Sequence, residues 1–129
     1  MKTIITAPDA PKAVGPYSVA VRTGNLLFMS GQIPLDPATG QLVANDIETQ
    51  TERVLQNITA VLAAAGATLA NVVKSSVFMA DLSMFQRMNA VYARYFNSEP
   101  PARSTYQVAA LPLGALVEIE CIAVLPDVQ

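Results

Sequence analysis

The chain has 129 residues, 52% of them hydrophobic and 14% charged, with a formal net charge of -2, which suits one ordinary domain built on one core. The acidic balance and the lack of any Lys/Arg run argue against a nucleic-acid partner; a lone Cys121 and the absence of histidine exclude an internal disulfide and thiolate or imidazole metal sites of ordinary spacing, leaving only carboxylate-bound Mg²⁺ formally open. No stretch approaches the roughly 20 apolar residues of a membrane helix, and Pro8, Pro11 and Pro16 interrupt a start that lacks a basic region and an apolar core, so a soluble, cytoplasmic, metal-free protein is expected.

Residues Thr3 to Thr6 suit a short edge strand, and Ala7 to Pro16, punctuated by proline, suits an ordered loop. Apolar-rich runs from Ser18 to Arg22 and from Leu26 to Ser30 flank Thr23-Gly24-Asn25, a hairpin signal. Gly31 to Gly40 is expected to be a loop with turns at Asp36-Pro37 and Thr39-Gly40. A helix is predicted from Asn45 or Asp46, because Asn45 and Glu48 have capping-box spacing and Val54, Ile58, Val61, Leu62 and Ala65 form one apolar stripe. Gly66 stands where a helix C-terminal cap belongs.

Val72 to Met79, rich in β-branched residues, is predicted as a strand. Ser83 and Gln86 repeat the capping-box spacing before a second helix striped by Phe85, Met88, Tyr92 and Phe96, and Pro100-Pro101 prevents its continuation. Strands at Arg103 to Ala109 and Leu116 to Leu125 follow, separated by a turn at Pro112 and Gly114. The order gives an α+β fold: one mixed sheet with both helices on one face.

In the last strand Val117, Ile119, Cys121, Ala123 and Leu125 point one way, and Leu116, Glu118, Glu120, Ile122 and Val124 the other. Two helices can cover only one of these faces. The second, with large aliphatics and two carboxylates, suits an intersubunit face that carries a polar site; a partly exposed antiparallel strand is the plainer alternative.

Arg103, at a strand entrance behind two prolines, presents a rigid fork that matches a carboxylate; an ordinary ion pair or helix cap explains it equally simply. Glu118 among aliphatics must either pair with a cation or carry a raised pKa, and a carboxylate near neutrality can take a proton from water and return it to a leaving group. Glu120 suits pairing around an oligomer axis better. Tyr17 follows the stiff Gly15-Pro16 corner, Gly31 beside Ser30 permits close backbone approach to a ligand, and Asn89, polar in the middle of the second helix, suits either donation into a pocket or the commoner solvent-facing position. No phosphate loop and no Ser-His-Asp or Cys-His arrangement is present, and Cys121 belongs with the core.

Taken together, Gly15-Pro16-Tyr17, Ser30-Gly31-Gln32-Ile33-Pro34, Ala64-Ala65-Gly66, Val73-Lys74-Ser75-Ser76-Val77-Phe78, Asn89-Ala90-Val91-Tyr92, Pro101-Ala102-Arg103-Ser104, Leu111-Pro112 and Val117-Glu118-Ile119-Glu120 resemble the Rid (reactive intermediate deaminase, YjgF) family, and within it the RidA branch, over nearly the whole chain. The resemblance implies a chorismate-mutase-like fold and a homotrimer with a barrel-like core and clefts between neighbours. It implies hydrolysis of enamine and imine acids, 2-aminoacrylate/2-iminopropanoate and 2-iminobutanoate, to 2-keto acids and ammonia, without a cofactor. The family's functional residues map onto Tyr17, Ser30, Gly31, Asn89, Arg103 and Glu118, with Thr105 near the ligand. Many bacterial members carry cysteine where this chain has Thr105; the run from Tyr106 to Pro112 looks more like the animal members, which lack that thiol. Rival readings are a non-enzymatic carboxylate-binding or chaperone-like protein of the same fold and an RNA-cleaving or translation-inhibiting protein, the last opposed by the acidic composition.

Overall fold

The computed structural model describes residues 1–126. Strands β1 (Thr3–Ile5), β2 (Ala20–Thr23) and β3 (Leu26–Gln32) precede helix α1 (Ile47–Ala64); β4 (Val72–Met79), helix α2 (Phe85–Tyr95), β5 (Ala102–Gln107) and β6 (Val117–Val124) follow. They build one six-stranded sheet in the order β1-β2-β3-β6-β4-β5. β4 and β5 are parallel, as strands joined by a crossover helix must be, and the other neighbours are antiparallel. The mixed α+β sheet with two helices agrees with the sequence, although several boundaries move.

The β2–β3 hairpin closes through Gly24 and Asn25, with Gly24 at φ 58°. β3 then runs on through Gly31 and Gln32, which the sequence assigns to a loop. An extra residue on β3 between Met29 and Gln32 makes a bulge opposite β6, and that bulge keeps the strand paired past the glycine. Helix α1 is capped by Asp46, not Asn45: its carboxylate accepts from the Thr49 backbone N–H at 3.0 Å and the Thr49 hydroxyl at 2.8 Å. Gly66, at φ 78°, ends the helix, and the Ala67 N–H donates to the Leu62 carbonyl.

The Ser83–Gln86 capping box does not form. Asp81 accepts from the Ser83 N–H at 2.8 Å in a single 3₁₀ turn, Leu82–Met84, and α2 starts at Phe85 without a side-chain cap. β5 stops at Gln107, two residues short of the expected end. The core lies between the sheet and the helices. Val54, Leu55, Ile58, Val61 and Leu62 of α1 and Met88, Val91 and Tyr92 of α2 bury against Leu27, Val77, Met79, Val117, Ile119 and Cys121.

Buried amides tie the loops to this core. Asn57 of α1 donates to the carbonyls of Ile33 (3.3 Å) and Leu35 (3.0 Å), and Gln50 accepts from the Leu116 N–H at 2.9 Å. No helix among the described residues is long and apolar enough to cross a membrane.

Among the described residues no layer covers the opposite face. Ile4, Val21, Phe28 and Ile122 stand in one register row across it, and Phe78 stacks on Tyr106 with ring centroids 6.3 Å apart. Phe28 is 42% exposed and Tyr106 54%.

Candidate active site

Alternation along β6 decides where Glu118 points. Val117, Ile119, Cys121 and Ala123 are buried beneath the helices, so Glu118 projects onto the uncovered face, in register with Phe78 of β4. Half-burial there raises the pKa of its carboxyl group above the usual carboxylate value, and the charge of Glu120 adds to the rise. No Lys or Arg among the described residues forms an ion pair with it.

The Glu118 side chain lies across Gly31. A Cβ at Gly31 would stand 2.8 Å from the Glu118 carboxyl carbon and 3.0 Å from its Cγ, closer than non-bonded carbons sit unless the Glu118 side chain moves away. The sequence attributes this glycine to close approach of a ligand; the structure shows close approach of the carboxylate. Gly31 shares a small concavity with Tyr17, Val14 and Val19. Ser30 joins this group by pinning its loop: its hydroxyl donates to the Ser18 carbonyl at 2.6 Å, and its N–H donates to the Val19 carbonyl at 2.9 Å. The Tyr17 hydroxyl in turn accepts from the Val14 N–H at 3.2 Å. A broader cleft of about 520 Å³ continues from Tyr17 along Ile4–Pro8 and Pro11–Ala13.

Arg103 belongs to the other side. It pairs in register with Ser75, which is fully buried and hydrogen-bonded to Tyr92 of α2 at 2.6 Å. The Arg103 guanidinium carbon rests 4.7 Å from the centroid of the Tyr92 ring and 5.5 Å from that of Phe85. Among the described residues no carboxylate pairs with Arg103. Thr105, two residues along β5 and in register with buried Val77, shares the face of Arg103. Asn89 stands on α2 between Phe85 and Tyr92 at helical spacing, and its buried Oδ1 accepts no hydrogen bond from the described residues.

The seven residues singled out in the sequence therefore fall into two groups. Tyr17, Ser30, Gly31 and Glu118 gather at the β3 bulge and the uncovered face; Asn89, Arg103 and Thr105 gather beside α2 at the β5 edge. Glu118 and Arg103 are separated by two strand spacings and three residues of register, roughly 14 Å, and point from opposite faces of the sheet. Within one chain they cannot share a ligand.

Sequence reasoning missed the surroundings of Arg103. Phe85 and Tyr92 are core-stripe residues by periodicity, and only their spacing around Asn89 hinted at a polar task. Cys121 is core as expected, its thiol pushed up to about 12 by burial. Among the described residues no cluster of His, Cys, Asp or Glu forms a metal site.

The family described as Endoribonuclease L-PSP matches residues 7–125. Reactive Intermediate Deaminase A, chloroplastic, of Arabidopsis thaliana is 51% identical over 124 residues, covering 96% of this chain and 66% of that protein. The 2-iminobutanoate/2-iminopropanoate deaminase of Bos taurus is 48% identical, covering 96% of this chain and 90% of that one. Among solved structures, a chain described only as a candidate endoribonuclease from Thermotoga maritima superposes with a TM-score of 0.94 at 53% identity over 98% of this chain and all of that one. The TdcF protein of E. coli with bound serine superposes at 0.92 with 41% identity over 96% and 99%.

Proposed function

From a chain that belongs to the endoribonuclease L-PSP family, in which the Rid deaminases fall, we propose a hydrolytic deaminase that converts small 2-imino acids and their enamine tautomers to 2-keto acids and ammonia. The substrates are 2-iminopropanoate (2-aminoacrylate) and 2-iminobutanoate. One observation carries the reading: a guanidinium and a raised-pKa carboxylate, neither ion-paired among the described residues, lie on opposite faces of one sheet. Two copies docked through the uncovered apolar face and the β5 edge bring one copy's Arg103 to the other's Glu118. The full site is a cleft between neighbours in a trimer.

In that cleft Arg103 holds the substrate carboxylate through paired hydrogen bonds. Glu118, as the carboxylate, takes a proton from water while the water oxygen bonds to C2 and the C=N electron pair moves to nitrogen. Glu118 passes that proton to the nitrogen, giving the neutral carbinolamine; it then takes the hydroxyl proton and delivers it to the same nitrogen as the C–N bond breaks, C=O forms and ammonia leaves. The unpartnered Asn89 Oδ1 accepts from the substrate N–H. Tyr17 walls the cleft, Ser30 holds the Tyr17 loop, Gly31 gives Glu118 room, and Thr105 borders the carboxylate site without a thiol. The atoms balance with water alone, so no cofactor enters.

Arg103→Ala and Glu118→Gln should each be inactive. Co-expressed so that copies assort at random, they regain about a quarter of the parent activity, because mixed neighbours supply one site with both native groups. Mixed oligomers, verified by mass spectrometry, that remain inactive would sink the shared-site reading. The ribonuclease in the family's description is an alternative that the acidic composition opposes; RNA cleavage that vanishes with Arg103 and Glu118 in the purified protein would favour it.

A further inference from the structure

An arginine that waits for a ligand has a problem of direction. Its long side chain samples many rotamers, and the usual remedy, a carboxylate partner, would occupy the N–H edges that the ligand needs. Arg103 has no such partner among the described residues. It rests instead on the rings of Tyr92 and Phe85, at 4.7 and 5.5 Å. An aromatic face attracts the flat guanidinium through its quadrupole while leaving the N–H edges free.

The rings are themselves held. The Tyr92 hydroxyl shares a 2.6 Å hydrogen bond with Ser75, a buried residue of the neighbouring strand in register with Arg103, and the Tyr92 ring tilts onto Phe96 at 4.7 Å. Ser75 on β4, Tyr92 on α2 and Arg103 on β5 thus form one chain of contacts across three elements. Burial raises the Tyr92 pKa, so the hydroxyl stays protonated.

We infer that Phe85 and Tyr92, with Ser75 locking Tyr92, are positioning residues that pre-set the direction of Arg103 for a substrate carboxylate. The inference rests on the proposed role of Arg103. It requires that trimming a ring weaken recognition of the carboxylate and of nothing else.

The test measures binding of pyruvate, a 2-keto acid product, and of its uncharged amide, pyruvamide, by calorimetry on the assembled protein. Phe85→Leu should weaken pyruvate binding by about threefold to thirtyfold, leave pyruvamide binding unchanged, and raise KM for the imine more than it lowers kcat. Phe85→Tyr keeps the aromatic face and should bind pyruvate as the parent does. The double variant Ser75→Ala/Tyr92→Phe removes both hydrogen-bonding partners together, keeps the ring, and should weaken pyruvate binding several-fold. If Phe85→Leu does not fold, Phe85→Met carries the same outcomes. Unchanged pyruvate binding in the ring variants, alongside lost binding in Arg103→Ala, overturns the inference and leaves the proposed function standing. Undiminished pyruvate binding in Arg103→Ala overturns the proposed function itself.

Discussion

Gly31→Ala isolates the position of one carboxylate. Gly31 has a negative or extended φ, unlike Gly24, Gly40, Gly66 and Gly114, so alanine fits its backbone. The new Cβ would meet the Glu118 carboxyl carbon at 2.8 Å and Cγ at 3.0 Å, whereas carbon atoms in comfortable contact sit about 3.5–4 Å apart. Glu118 must therefore move by roughly 1 Å, and it can, because the clash is with the end of a flexible side chain. Changing one rotamer costs about 1 kcal/mol; displacing a reacting group by 1 Å costs on the order of 100-fold in rate. The expected result is a fall of about 100-fold in kcat/KM for 2-iminopropanoate, with little change in melting temperature and unchanged oligomeric state by analytical ultracentrifugation. Gly40→Ala is the contrast: φ 72° with open space around it predicts a loss of about 1 kcal/mol in stability and full activity. A Gly31→Ala protein that retains activity within twofold refutes the claim that this glycine exists to seat Glu118.

Glu120 contributes to the raised pKa of Glu118, so Glu120→Gln should move the rising limb of the kcat/KM pH profile to lower pH; a shift upward or none contradicts the coupling. Because the Glu118 pKa is raised in the folded protein, the folded state holds more protons than the unfolded one between the two pKa values. That group therefore makes stability fall as pH climbs through the interval, and Glu118→Gln should be at least as stable as the parent at pH 7, with the advantage fading below the ordinary carboxylate range in a pH series of thermal melts. Asn57→Ala strands the Ile33 and Leu35 carbonyls that its amide satisfies; a loss of about 2–4 kcal/mol is expected in urea unfolding, and a loss under 0.5 kcal/mol contradicts that anchoring role.

The sequence disclosed what period and punctuation encode. The α1 stripe, the β4 run and the two faces of β6 follow from spacing alone, and Glu118 was legible because it interrupts an aliphatic face. What period cannot encode is which of several polar residues wins a local competition. Asn45 and Asp46 both suit an N-cap, and only the phase of the first turn selects Asp46. Ser83 loses to Asp81 because a 3₁₀ turn intervenes before α2. Nor does spacing reveal a bulge: the extra residue at Ser30-Gly31 depends on pairing with a strand ninety positions away in the chain, roughly as distant as contacts here become. The division of the candidate residues between faces was equally hidden, since it depends on the register of β5 against β4.

That division has an energetic logic. Among the described residues, a half-buried carboxylate without a cation and a buried amide oxygen without a donor are each unfavourable in an isolated chain, because each has given up water without gaining a partner, and the Arg103 guanidinium has no anion beside it. Had the fold set Arg103 and Glu118 side by side on one face, they would have paired with each other, and a ligand would have had to break that pair in order to bind. Holding them on opposite faces prevents the internal pair. In the assembly proposed above, docking of the uncovered apolar surface would supply the hydrophobic gain that brings the two charges to one cleft, with a substrate acid and a water molecule between them.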